Sequence, residues 1–224
     1  MKIGILGSGV VGQTVGKSLA QSGHDVVLGT RSPDKLDEKR GYGESLQNWL
    51  AEAGSHARVS SFQEAASHGD VIVNATAGTG SVEALRLGGS ENIGDKLLID
   101  IANPLDFSKG MPPTLTVCNS DSLGERIQKE FPRARVVKTL NTVTARVMVS
   151  PTAVAGGGHD MFICGEDADA RARVTEYLKD WFGWTSIVDL GGISAARGME
   201  MYLPLWLLLW GALGTPMFNV RIVR

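Results

Sequence analysis

Apolar residues fall in short blocks separated by glycine and polar turns, and the blocks alternate between two spacings. Lys2 to Leu6, apolar or glycine after its lysine, reads as a short buried strand. From Val10 to Ser22 the apolar residues Val11, Val15 and Leu19 recur at four-residue steps, the mark of a helix with one buried face. Asp25 to Leu28 predicts a second strand, and Ser32 followed by Pro33 predicts a helix opening there, because Ser caps and proline suits a first turn. Arg58 to Ser60 is a third strand. Ser61 with Glu64 forms a capping box for a short helix, and Val71 to Ala75 and Leu97 to Ile101 are strands four and five. Ser122 with Glu125 caps another helix, and Arg135 to Leu140 supplies the sixth strand. Strands alternating with helices require crossover connections, which are right-handed and build a doubly wound parallel α/β sheet of the Rossmann type.

The rhythm changes near residue 140. A loop at Gly156, Gly157 and Gly158 leads to a strand at Met161 to Cys164, then to a charged helix from Asp167 to Trp181 with Val174, Leu178 and Trp181 on one face. A strand at Ser186 to Leu190 and an apolar helix near Ala195 to Leu213 follow. The expectation is a dinucleotide-binding domain over 1–140 and a small α+β extension over 141–224, too short for a large helical substrate domain.

Composition narrows the classes. Apolar residues at 43% suffice for a core, and 22 basic against 24 acidic side chains leave no broad positive field, so neither nucleic acid nor a membrane is expected as a partner. Cys118 and Cys164 lack metal-site spacing and read as free thiols, which fits a reducing cytoplasm. The start MKIGILGSG lacks the longer apolar stretch of a secretory signal. The apolar window Leu203 to Leu213, broken by Pro204 and Gly211, is about half the ~20 residues of a membrane span.

Candidate chemistry starts at Gly7, Gly9 and Gly12, which form GSGVVG between the first strand and the first helix. The first glycine permits the tight turn, the second lets phosphates approach, and the third lets helix and strand pack closely. With Ser8, Val10 and Val11 they frame the positive end of a helix, where a pyrophosphate can sit. Glycine turns that merely pack share this spelling; the strand–helix–strand setting is what favours a dinucleotide.

An NAD site usually carries an acid about twenty residues past the glycines, but this chain reads Gly29, Thr30, Arg31, Ser32. The Thr30 and Ser32 hydroxyls and the Arg31 fork suit a 2′-phosphate instead, each charge-assisted bond being worth about 1.5–3 kcal/mol. NADP is therefore expected. Lys35 is either a second phosphate contact or a surface lysine, and Asp34 is a rival ribose ligand. Ala75, Thr76 and Ala77 follow the fourth strand, and Asn103 and Pro104 the fifth, at carboxyl ends where open sheets hold ligands. For Thr76 and Asn103 turn formation is an equal reading. Asn141 follows the sixth strand, where the nicotinamide should end. His24, His56, His68 and His159 do not stand at strand ends beside a carboxylate, and His24 is expected to pack between the first helix and second strand. Lys138, inside the sixth strand, is expected to make an edge or partner contact. Hydride exchange between two ring cofactors, where positioning does most of the work, suits such a site.

Together GSGVVG, GTRS at 29–32, Asn103 with Pro104, KTLNT at 138–142, FICGED at 162–167 and DLGGISAAR at 189–197 resemble the coenzyme F420-dependent NADP oxidoreductases. The reductase domain of the six-transmembrane metalloreductases is similar. The resemblance implies NADP held by the first three stretches and an isoalloxazine-like ring, of a deazaflavin or flavin, near Asn141, Thr142 and Ala145. It also implies a C-terminal helix that lines the ring cleft and helps form a homodimer. Archaeal members carry His where Asn141 stands and Pro where Thr144 stands; KTLNT and DLGGISAAR lie closer to the metalloreductases. Trp206 and Trp210 read equally as a ring-stacking wall, a dimer seam or core. The expected function is hydride transfer between NADP(H) and a small-molecule deazaflavin or flavin acceptor. A non-catalytic NADPH sensor is the alternative, and a hydroxyacid-type dehydrogenase comes third.

Overall fold

The computed structural model describes residues 1–39 and 41–224. Five strands with a crossover between each neighbouring pair form its centre: β1 (Lys2–Leu6), β2 (Asp25–Thr30), β3 (Ala57–Ser61), β4 (Val71–Asn74) and β5 (Leu97–Asp100). The helices among them are α1 (Val10–Gln21), α2 (Leu46–Ala53), α3 (Phe62–His68), α4 (Ser81–Gly88) and the short α5 (Ser90–Ile93). A two-residue hairpin, β6 (Leu105–Asp106) with β7 (Thr114–Leu115), stands apart from the main sheet. Then come α6 (Leu123–Glu130), β8 (Arg135–Thr139), α7 (Ala145–Val149), β9 (Met161–Cys164), α8 (Ala168–Phe182), β10 (Ile187–Asp189) and α9 (Ala196–Leu213).

The sheet has eight strands in the order β10-β9-β8-β5-β4-β1-β2-β3. From β3 to β8 every pairing is parallel; β9 joins β8 antiparallel and β10 runs parallel to β9. The strands after residue 140 thus continue the sheet of residues 1–140. Burial on both faces explains the unbroken apolar runs. Ile3, Ile5, Val26 and Leu28 pack with Val15, Leu19 and Trp49 on one side, while Leu6, Val27, Ile72 and Leu98 pack with Phe62, Ala65, Leu85 and Met199 on the other.

The Ser half of both boxes forms, Ser61 accepting from the Glu64 N–H at 3.2 Å and Ser122 from the Glu125 N–H at 3.1 Å, while Glu125 takes the Ser122 hydroxyl and the Ser122 N–H goes to Asp121. The charged helix is α8, capped by Asp167, with Phe182 rather than Trp181 completing its buried stripe beside Val174 and Leu178. Trp181 instead meets His24 edge-on at 5.5 Å. The helix expected from Pro33 is absent, and Pro33 and Asp34 make a turn. Between Ser32 and Lys39 only Leu36 can reach the core, so a helix there would have no apolar face to bury. The next helix is α2, capped by Ser45. Among the described residues no helix is long and apolar enough to cross a membrane.

Candidate functional site

The order of strands reverses between β1 and β4, and the crevice beyond their carboxyl ends is where such sheets take ligands. Gly7 turns the chain out of β1 at φ +120, and a side chain on it would strike the Ala75 carbonyl. A side chain on Gly12 would strike the Gly7 carbonyl, so helix and turn close only on glycine. Gly9 differs: nothing lies within 4 Å of where its Cβ would stand. It caps α1 without a side-chain bond, so the first-turn N–H groups of Val10, Val11 and Gly12 have no side-chain acceptor there. The open space belongs to a cavity of about 640 Å³ whose lining includes Gly7, Ser8, Gly9, Thr30, Arg31, Ser32, Ala75, Thr76 and Ala77, and also Phe62, Glu83 and Leu87.

Thr30 is buried and accepts from the Ser8 hydroxyl at 3.1 Å, while Arg31 is exposed on the cavity wall. Lys35 lies outside that lining and pairs with Glu38 at 3.0 Å. Gln13, which the sequence reading passed over, ties the site together. Its Nε2 donates to the Ser8 and Glu44 carbonyls at 3.0 and 2.9 Å, its Oε1 accepts from the Glu44 N–H at 2.8 Å, and its own carbonyl takes the Trp49 indole at 2.7 Å. The glycine turn and the segment at 44–45 are thereby fixed to each other. A buried amide on a helix otherwise turning small and apolar residues inward was the available signal.

Lys138 does not lie at an edge or a partner contact. β8 runs between β5 and β9, and the lysine is fully buried. Its ammonium donates to Asp100 at 2.7 Å, to Glu200 at 2.8 Å and to the Ala102 carbonyl at 2.5 Å. Burial pulls this ammonium down, but the facing carboxylates of Asp100 and Glu200 outweigh it and hold its pKa above the ordinary lysine value. Glu200 also accepts from the Leu123 and Gly124 N–H groups, so α9 is pinned to the positive end of α6. Arg197 adds a second pin by gripping Glu125, whose carboxyl its hydrogen bond holds below the usual range.

Asp100 opens a further chain of bonds. It accepts from Asn74 Nδ2 at 2.8 Å; Asn74 Oδ1 accepts from the Thr76 hydroxyl at 2.7 Å; and Thr76 meets the Ser81 hydroxyl at 2.7 Å. Asn103 and Asn141 pair reciprocally, Asn103 Nδ2 donating to the Asn141 carbonyl at 2.8 Å and Asn141 Nδ2 to Asn103 Oδ1 at 2.9 Å. Asn141 Nδ2 also reaches the Met199 carbonyl of α9 at 3.2 Å. Asn141 Oδ1 and Thr142 Oγ1 are buried with no hydrogen-bond partner among the described residues. Pro104 follows Asn103 in the chain, and Ala145 opens α7, barely exposed.

A Rossmann sheet whose glycine turn opens into a ligand-sized crevice, with Thr30 and Arg31 rather than a carboxylate at the end of β2, defines a dinucleotide-binding protein. Residues 2–104 match the family described as "NADP oxidoreductase coenzyme F420-dependent". A protein of Arthrobacter sp. FB24, provisionally named an F420-dependent NADP-reductase, is 50% identical, each chain covering 100% of the other, with a TM-score of 0.95. The chain belongs to this family and is an NADP-dependent oxidoreductase. Rat metalloreductase STEAP3 is 28% identical over 207 residues, which are 92% of this chain; the chain spans 37% of that relative's length. An imine reductase of Myxococcus stipitatus solved with NADP+ shares the fold at 16% identity and a TM-score of 0.64, over 96% of this chain and 63% of its own.

Proposed function

We propose that the crevice binds NADP(H) and that the protein passes hydride between it and a deazaflavin or flavin. The observation that carries this is the rim of the crevice, where Thr30, Arg31 and Ser32 line one wall and no carboxylate stands at the end of β2. A 2′-phosphate there meets a guanidinium fork and hydroxyl donors. The empty volume over Gly9 fits a diphosphate lying on the first turn of α1.

The nicotinamide end then reaches the carboxyl ends of β5 and β8. Asn141 Oδ1 and Thr142 Oγ1 are the buried atoms there that still want a partner, and a carboxamide offers both a donor and an acceptor. NADP(H) supplies or takes up the hydride; the chain's own residues orient the ring and keep water from it. The acceptor ring is assigned to the region of Asn141, Thr142 and Ala145, beneath the wall made by α9. Membership of the family supports that assignment. We assign α9 also to a homodimer contact, because Leu205, Leu208 and Leu213 stand exposed on it.

The test is NADPH oxidation followed on adding free deazaflavin, FMN or a ferric chelate. Steady turnover with the deazaflavin or FMN is expected. Tight NADPH binding with no turnover on any acceptor contradicts hydride transfer and leaves a cofactor-occupancy sensor as the reading.

A further inference from the structure

The polar chain running from Lys138 to the crevice has a direction, and that direction fixes what Thr76 can offer a ligand. Asp100 already takes the Lys138 ammonium on Oδ2 and the Ala102 N–H on Oδ1. The Asn74 group facing it at 2.8 Å is therefore the amide NH₂, and Asn74 Oδ1 points the other way. That oxygen can only accept, so at 2.7 Å the Thr76 hydroxyl must spend its single proton on it. Ser81 Oγ accepts from Asn74 Nδ2 at 3.2 Å; with the Thr76 proton spent, the 2.7 Å contact to Thr76 Oγ1 takes the Ser81 proton ahead of the Ala77 carbonyl, which lies 3.4 Å away. The opposite assignment would press two lone pairs together between Asn74 and Thr76.

Thr76 lines the crevice with its proton committed to Asn74, so its hydroxyl can meet a ligand there only as an acceptor. A phosphate oxygen, itself an acceptor, is repelled by such an atom. Thr76 shares the crevice with Gly7 and Gly9, where backbone donors suit the diphosphate. The donors that flank a diphosphate in a dinucleotide are ribose hydroxyls.

Resting on the NADP(H) reading, we propose that Thr76 accepts a hydrogen bond from a ribose hydroxyl of the dinucleotide, its acceptor polarity being imposed by the buried chain through Asn74 and Asp100. Thr76 is thus a specificity-determining contact, and Asn74 and Asp100 are positioning residues that act through it.

The test is equilibrium binding of NADPH, and of analogues in which each free ribose hydroxyl is replaced in turn by fluorine, to wild type, Thr76→Val and Thr76→Ser. Fluorine keeps the size and cannot donate. One fluorinated analogue is expected to bind wild type and Thr76→Ser about 3- to 10-fold more weakly than NADPH does, as for a single hydrogen bond. That penalty should vanish in Thr76→Val, whose fold is checked by its melting curve. Should Thr76→Val not fold, Thr76→Ser and wild type still read the penalty itself. Equal binding of every analogue to wild type overturns the proposal, as does a penalty that persists in Thr76→Val. Failure of wild type to bind NADPH at all is a different result, and it overturns the cofactor reading with everything built on it.

Discussion

Gly9 and Gly12 are separated by two residues and make opposite demands. A methyl on Gly12 meets the Gly7 carbonyl, whereas a methyl on Gly9 meets only the open crevice. Gly12→Ala should therefore lose thermal stability. Gly9→Ala should melt like wild type and lose NADPH affinity by at least tenfold; unchanged affinity in a folded Gly9→Ala would show that nothing lies over that residue. Lys138→Met strands Asp100 and Glu200 as buried carboxylates and should cost about 3–5 kcal/mol in urea unfolding. A loss under about 1 kcal/mol would mean that the pair is reached by water. The glycine turn was legible because its signal is local, three glycines beside an apolar run. The Lys138 cluster was not: Asp100 lies 38 residues away on β5, Glu200 lies on α9, and nothing in the spelling of KTLNT says that two acids converge on it.

At the scale of elements, the central strands β1, β2, β4 and β5 were read well because both faces of the sheet are buried there and each is an apolar block, whereas the two-residue β6 and β7 carry no such block and were not expected. The serine N-caps were read well because each hydroxyl satisfies an N–H within one turn, whereas among the described residues the return bond from the Glu three residues on does not form. The helix at Pro33 failed for the complementary reason: a start signal without an apolar stripe behind it nucleates nothing. The anchoring of α9 by Arg197 on Glu125 is likewise tertiary. It has a pH signature, since Glu125 is held below its ordinary 4.5. A lowered carboxyl contributes stability above that value and loses it as pH falls through the folded pKa. Arg197→Met should destabilise by about 0.5–1 kcal/mol near neutral pH, the pair being partly exposed, and by progressively less below pH 4.5. A difference that stays constant on acidification would show that Arg197 acts through packing alone.

The whole molecule is one sheet whose last two strands at one edge, β9 and β10, come from the segment after residue 140, and α9 packs on α6 while leaving Met201, Leu205, Leu208 and Leu213 exposed. Exposed leucines on one helix suit association. If α9 forms the homodimer contact, Leu205→Glu with Leu208→Glu should give a monomer by light scattering at unchanged secondary structure; an unaltered mass would place the contact elsewhere. The most direct test of the central claim is calorimetric titration of the wild-type protein with NADPH and NADH. Arg31, Thr30 and Ser32 at the crevice rim predict NADPH binding at least tenfold tighter, about 1.4 kcal/mol, and that margin should largely disappear in Arg31→Ala. Equal affinities for the two nucleotides in wild type, or no heat with either, would contradict the account.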